Sequence, residues 1–128
     1  MSHPHAIERL FVAITAARDA NHAASRTAQL LRSGRTKMAK KLAEEAIEVI
    51  IDAICGQREA VIRESADLVY NLVVLWVASG VTPAHVWSEM ARRERLLGIA
   101  EKLPKDAAKS SALPKRRKAL AREARRAR

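Results

Sequence analysis

Residues 64–78, ESADLVYNLVVLWVA, are apolar nearly all the way round a helix except for Glu64, Ser65, Asp67 and Asn71. A helix of that composition has to bury most of its surface. Glu64 and Asp67 are three apart and Asn71 is four beyond Asp67, so the three project from a single stripe. A carboxylate drawn toward an interior costs several kcal/mol, roughly, unless it is paired or coordinated. The stretch therefore predicts both a buried helix and a cationic partner for its acids. Pairing with Arg63 or a packed arginine is the plain alternative.

Working outward, residues 37–53, KMAKKLAEEAIEVIIDA, place Lys37, Lys41, Glu44, Glu45, Glu48 and Asp52 along one side of a second helix. Leu42, Ala46, Val49, Ile50 and Ala53 lie opposite. If the apolar flanks pack in an antiparallel hairpin, Glu45 and Glu48 face Glu64 and Asp67 across a shallow cleft. Like charges about 4 Å apart repel by roughly 4 kcal/mol at an effective dielectric near 20. A hard divalent ion relieves that repulsion, and an all-oxygen set suits magnesium or manganese better than zinc. Magnesium in turn suggests a phosphate substrate. The competing reading of the 37–53 helix is an ordinary solvated face in which the lysines pair with the acids.

Local signals place the other elements. Ile7, Leu10, Phe11 and Ile14 have the three-and-four spacing of an amphipathic helix, ended near Asp19, Asn21 and His22. Residues 25–31 suit a short helical turn with Gly34 as its stop. Thr36 is placed to cap a helix that runs to about Cys55, with Gly56 as terminator. The next helix starts near Gln57 and runs through Ser79 to Gly80. Thr82 followed by Pro83 marks a cap and first turn, opening a helix to about Leu97. Short connections imply antiparallel neighbours. The expected fold is all-α, an antiparallel helical bundle, and its excess apolar surface is expected to be completed by dimerisation.

The 128 residues suit one domain, and four Gly, four Pro and 3% aromatics leave little room for sheet. The single cysteine, Cys55, excludes an intramolecular disulfide and reads as a small buried hydrophobe. The N-terminus lacks the pattern of a secretory signal, and the most apolar run, residues 68–78, is shorter than the roughly 20 residues a bilayer needs. A cytoplasmic protein with no membrane partner is expected. The net charge of +10 is uneven: of 24 Lys and Arg, 11 fall in residues 98–128 against 3 acids, leaving 13 against 11 before them. The domain is thus expected to be 1–97, followed by a basic, flexible tail at 98–128. The tail has no aromatic for stacking on bases and no DNA-reading motif precedes it, which argues against a nucleic-acid partner.

The pairs Glu45-x-x-Glu48 and Glu64-x-x-Asp67 resemble the signature of the all-helical MazG-type nucleotide pyrophosphohydrolases. With GVTPAHVWSEMARR at 80–93, and with Ser25, Thr27, Leu30, Leu31 and Gly34 upstream, residues 7–95 are similar to the phosphoribosyl-ATP pyrophosphatases of histidine biosynthesis. That resemblance implies a magnesium-dependent homodimer that hydrolyses phosphoribosyl-ATP to phosphoribosyl-AMP and diphosphate, the second step of the pathway. It implies Glu45, Glu48, Glu64 and Asp67 as metal ligands, with Glu44, Glu45 or Glu48 as the base. Lys37, Lys40 and Lys41 match basic positions suited to phosphate oxygens, and Asn71 is a substrate-binding position. The chain departs from the family at Arg26, where an aromatic is usual, and at Asn71, where His is usual. The alternatives are a housekeeping nucleoside triphosphate pyrophosphohydrolase and, less in keeping with the motifs, a basic nucleic-acid-binding protein.

Overall fold

A computed structural model describes residues 5–20 and 22–98. The basic segment beyond Gly98 lies outside the described residues. Among them are five helices and no strand: α1 (Ala6–Ala20), α2 (Arg26–Arg32), α3 (Arg35–Ile54), α4 (Arg58–Ala78) and α5 (Pro83–Leu97). None of them alone is long and apolar enough to cross a membrane.

The chain divides into two compact units, Met1–Trp87 and Ser88–Arg128. In the first, α4 touches α1, α2 and α3, and its association with α3 is the most extensive. Its Val73, Val74 and Val77 form the core with Ile14 of α1 and Met38 of α3. Ile7, Leu10 and Phe11 of α1 and Leu30 and Leu31 of α2 pack against that cluster. The apolar stretch at 64–78 is thus the structural centre of this unit. Each buried aliphatic side chain contributes about 1.5–3 kcal/mol.

Helix ends follow local chemistry. Ser25 caps α2, its Oγ accepting from the Ala28 amide at 3.1 Å. The α3 cap differs from the expected one. Gly34, not Thr36, is the N-cap, with φ 94° and no side-chain cap bond. The absence of a Cβ lets residue 34 turn the chain from α2 directly into α3, so the helix starts before Thr36 can act. At Thr82–Pro83 the expected start holds. Thr82 Oγ1 accepts from the His85 amide at 3.3 Å, and His85 Nδ1 accepts from the Thr82 amide at 3.0 Å. His85 thus plays the part that Glu or Gln plays in a reciprocal cap.

Trp87 stands edge-on to Trp76 with centroids 6.2 Å apart, and its Nε1 donates to Glu8 Oε1 at 2.6 Å. That bond holds the Glu8 carboxyl below the usual range. In the second unit, Glu89 accepts from Arg92 Nε and Nη2, both at 2.8 Å, and from Arg93 Nε at 3.0 Å. The two guanidiniums lower its carboxyl to about 2.

Two expectations about apolar residues are corrected. Cys55 is exposed, as the C-cap residue of α3, rather than buried. Ile50 and Ala53, assigned to the face packed on α4, are exposed, whereas Leu42, Ala46 and Val49 are half-buried. The outward side of α3 instead presents Ile47, Ile50, Ile51 and Ile54, which are 53–81% exposed.

Candidate active site

The α3 stripe carries Lys37, Lys41 and Glu45 at four-residue intervals, with Glu48 three further on, so one line of side chains passes from cations to carboxylates. Glu45 is buried to 8% exposure. Lys41 Nζ lies 3.4 Å from its Oε1, while its Oε2 is buried with no hydrogen-bond partner. An orphaned carboxylate oxygen in an interior is costly and calls for a positive ligand.

Glu64 of α4 supplies the meeting point. Ligand oxygens of Glu45, Glu48 and Glu64 all lie within 4.8 Å of one another. Hydrogen bonding to the Glu64 carboxylate pushes the Glu48 carboxyl up, against a lowering contact from Glu45. Glu48 thus holds a proton more readily than an isolated glutamate, as expected where a second carboxylate stands close by. Three convergent carboxylates, one with an unsatisfied buried oxygen, fit a hard divalent cation in chemistry and spacing.

Next to this trio is a cleft of about 790 Å³. Arg26, Gln29, Leu30 and Ser33 line it from the α2 side, Lys37, Lys41 and Glu45 from α3, and Asp67, Tyr70 and Asn71 from α4. Tyr70 Oη and Thr27 Oγ1 are hydrogen-bonded at 2.5 Å, joining α2 to α4. Asn71, only 3% exposed, donates from Nδ2 to the Asp67 carbonyl at 2.8 Å. A carbonyl accepts only a donor, so the amide orientation is set and Oδ1 is left buried without a partner.

Of the residues singled out in the sequence, Glu45, Glu48 and Glu64 come together. Asp67 is exposed and lines the cleft beside Glu45, outside the trio. Lys37, Lys41 and Asn71 line the cleft. Glu44 and Lys40 are exposed on α3 and belong neither to the trio nor to the cleft lining. Among the described residues Arg63 forms no ion pair with Glu64 or Asp67. The α2 wall was not legible as a site. Arg26, Gln29, Leu30 and Ser33 do share an i, i+3, i+4, i+7 stripe, and that spacing is the signal that could have found it.

Comparison with known proteins bears on the same residues. The family profile described as phosphoribosyl-ATP pyrophosphohydrolase matches residues 8–94, which include every side chain of the cleft and the trio. A Rhodopseudomonas palustris protein named phosphoribosyl-ATP pyrophosphatase 2 is 62% identical over 121 residues, covering 93% of this chain and 92% of its own length. A Bradyrhizobium diazoefficiens protein of that name is 64% identical over 109 residues, 85% of this chain and 79% of its own. A Granulibacter bethesdensis phosphoribosyl-ATP pyrophosphatase is 51% identical over 96 residues, 75% of this chain and 60% of its own. A chain matched over this span by the family profile, with such relatives and such a carboxylate cluster beside a basic cleft, belongs to the phosphoribosyl-ATP pyrophosphohydrolase family.

Proposed function

We propose that this chain hydrolyses phosphoribosyl-ATP to phosphoribosyl-AMP and diphosphate, the second step of histidine biosynthesis, as a magnesium-dependent homodimer in the cytoplasm. One observation carries the reading: in a member of this family, three carboxylates come within 4.8 Å of one another beside a cleft lined by Arg26, Lys37 and Lys41. Anionic substrate and divalent cation are thereby given adjoining places.

In this reading Glu45, Glu48 and Glu64 hold the ion, with Asp67 as a fourth ligand and manganese as a substitute metal. When bound, magnesium supplies charge neutralisation at phosphate oxygens and acidifies a coordinated water. Lys41 and Lys37 neutralise the remaining phosphate charge along α3, with Lys40 adding to the local positive field. One carboxylate of the series Glu44, Glu45 and Glu48 accepts the proton of the attacking water. The water oxygen bonds to phosphorus as the anhydride bond to diphosphate breaks. Asn71 Oδ1 accepts a hydrogen bond from a substrate hydroxyl or amino group, which satisfies its buried lone pairs.

The catalytic domain in this proposal is residues 1–97, an antiparallel bundle, and residues 98–128 form a basic appendage that hydrolysis does not need. The exposed isoleucines of α3 form the contact with the second copy. They recur at i, i+3, i+4 and i+7, a continuous apolar strip that one chain leaves in water.

Diphosphate release from phosphoribosyl-ATP, measured beside a panel of NTPs and dNTPs with magnesium and with chelator, tests the reading. Phosphoribosyl-ATP is expected to be the preferred substrate and chelation to stop turnover. Glu48→Ala and Asp67→Ala are each expected to lower the rate by orders of magnitude in a folded protein. Parent-like turnover in both variants refutes the site, and preference for ordinary nucleotides refutes the substrate.

A further inference from the structure

One wall of the cleft is a helix too short to hold its own place. α2 has seven residues, and helices under roughly 12 residues are marginal without tertiary support. Ala28 is 2% exposed, and Leu30 and Leu31 pack on the core. Apolar contact is non-directional, so it holds α2 down without fixing where the helix stands along α4. A hydrogen bond is directional and can fix that point. Three side chains of the segment bond locally. Ser25 Oγ accepts from the Ala28 amide, Gln29 Nε2 donates to the Ala23 carbonyl, and Ser33 Oγ donates to the Leu30 carbonyl. Thr27 Oγ1 instead reaches Tyr70 Oη, 43 positions on, at 2.5 Å. Tyr70 itself lines the cleft with Asp67 and Asn71, and Thr27 belongs to the helix whose Gln29 and Leu30 line it too.

We infer that Thr27 and Tyr70 are positioning residues: their hydrogen bond fixes α2 against α4 at the spacing the substrate needs, and so governs substrate binding rather than the chemical step. The inference rests on the proposed function in taking the cleft as the substrate's place. α2, RTAQLLR, carries no carboxylate, so a shift of this helix leaves Glu45, Glu48 and Glu64 on their own helices α3 and α4. Without the bond, α2 keeps its apolar footing but samples more positions along α4. The binding-competent arrangement becomes a smaller share of the total, and apparent affinity falls by that share.

The test uses the full chain with magnesium and compares the parent with Thr27→Val, Tyr70→Phe, the double variant and Thr27→Ser. Both kcat and KM are measured on phosphoribosyl-ATP, or on whichever nucleotide of the panel the parent hydrolyses. Thr27→Val and Tyr70→Phe are each expected to raise KM by roughly three- to tenfold, the range of one net hydrogen bond, with kcat changed by less than about twofold. The double variant should be no worse than either single one, because both remove the same bond. Thr27→Ser, which keeps the hydroxyl, recovers most of the parent KM. Amide exchange followed by mass spectrometry should quicken over residues 26–33 in Thr27→Val and Tyr70→Phe, and magnesium affinity by calorimetry should match the parent. Additive losses in the double variant, a fall in kcat at parent KM, weakened magnesium binding, or unchanged exchange over residues 26–33 overturn the inference. So does a loss in Tyr70→Phe that Thr27→Val lacks, which makes the phenol a direct substrate contact. If Tyr70→Phe melts early, valine against serine at position 27 decides alone. A parent that prefers another nucleotide refutes the proposed substrate, and the same comparisons on that nucleotide decide this inference. A parent that hydrolyses none of them refutes both.

Discussion

Replacing Ile50 with Glu tests whether the outward strip of α3 is a subunit contact. Ile47, Ile50, Ile51 and Ile54 are 55%, 55%, 53% and 81% exposed. Complete burial of an isoleucine side chain is worth about 1.5–3 kcal/mol, so covering these fractions yields roughly 4–7 kcal/mol per subunit. Association itself costs about 4–15 kcal/mol, which makes the strip necessary to a dimer rather than incidental to it. Ile50 sits mid-strip, and its neighbours at three and four positions are Ile47, Ala53, Ala46 and Ile54, none of them charged. A glutamate there therefore gains no partner on its own helix. Two symmetric substitutions forfeit about 2–3 kcal/mol of apolar burial and place two carboxylates in a dry contact, at several kcal/mol each. At 1.4 kcal/mol per decade the dimer dissociation constant rises at least about a thousandfold. Light scattering or sedimentation reads this directly, because one chain is 14.2 kDa. The parent is expected at about twice that mass and the variant at the single-chain mass, with unchanged helical content. A parent that stays at 14.2 kDa at every concentration, or a variant that stays dimeric, refutes the reasoning.

Val74→Ala removes two methyl groups from a site with no solvent exposure and is expected to cost about 2–3 kcal/mol, lowering the melting midpoint by roughly 10–20 °C. Val12→Ala, on a side chain 66% exposed, should lie within about 0.5 kcal/mol of the parent. For Glu48, the contact with Glu64 raises the folded-state carboxyl above its unfolded value. Its contribution to the metal-free fold is therefore full below the unfolded pKa and is lost as pH rises through the raised one. Magnesium needs the ionised form, so binding should release a proton near that pH and weaken as pH falls. Calorimetry in buffers of differing ionisation enthalpy measures the proton count. Glu64→Gln should abolish the release, and a release that survives in that variant counts against the shared-carboxylate site.

Residues whose meaning is local were readable from the chain. Ser25, Thr82–Pro83, Gly56 and Gly80 mark helix ends because capping and termination depend on side chains within one turn. Thr36 misled because a glycine two positions earlier satisfied the backbone first. Cys55 and Ile50 misled for another reason: apolar character says that a side chain prefers burial, not which surface will cover it.

The sequence alone determined four of the helices, a helical turn at residues 25–31, the central place of residues 64–78 and the acidic positions on which the proposed site draws, because 3.6-residue periodicity and the cost of a carboxylate on an apolar helix are both written within a single element. Only the tertiary structure decided that Glu45, Glu48 and Glu64 share one point while Asp67 turns into the cleft, that Thr27 bonds Tyr70, and that Arg26 stands on the cleft wall. Those relations join residues on different helices, from 16 to more than 40 positions apart. They are set by how side chains of α1 to α4 fill one core, and no local pattern carries that information.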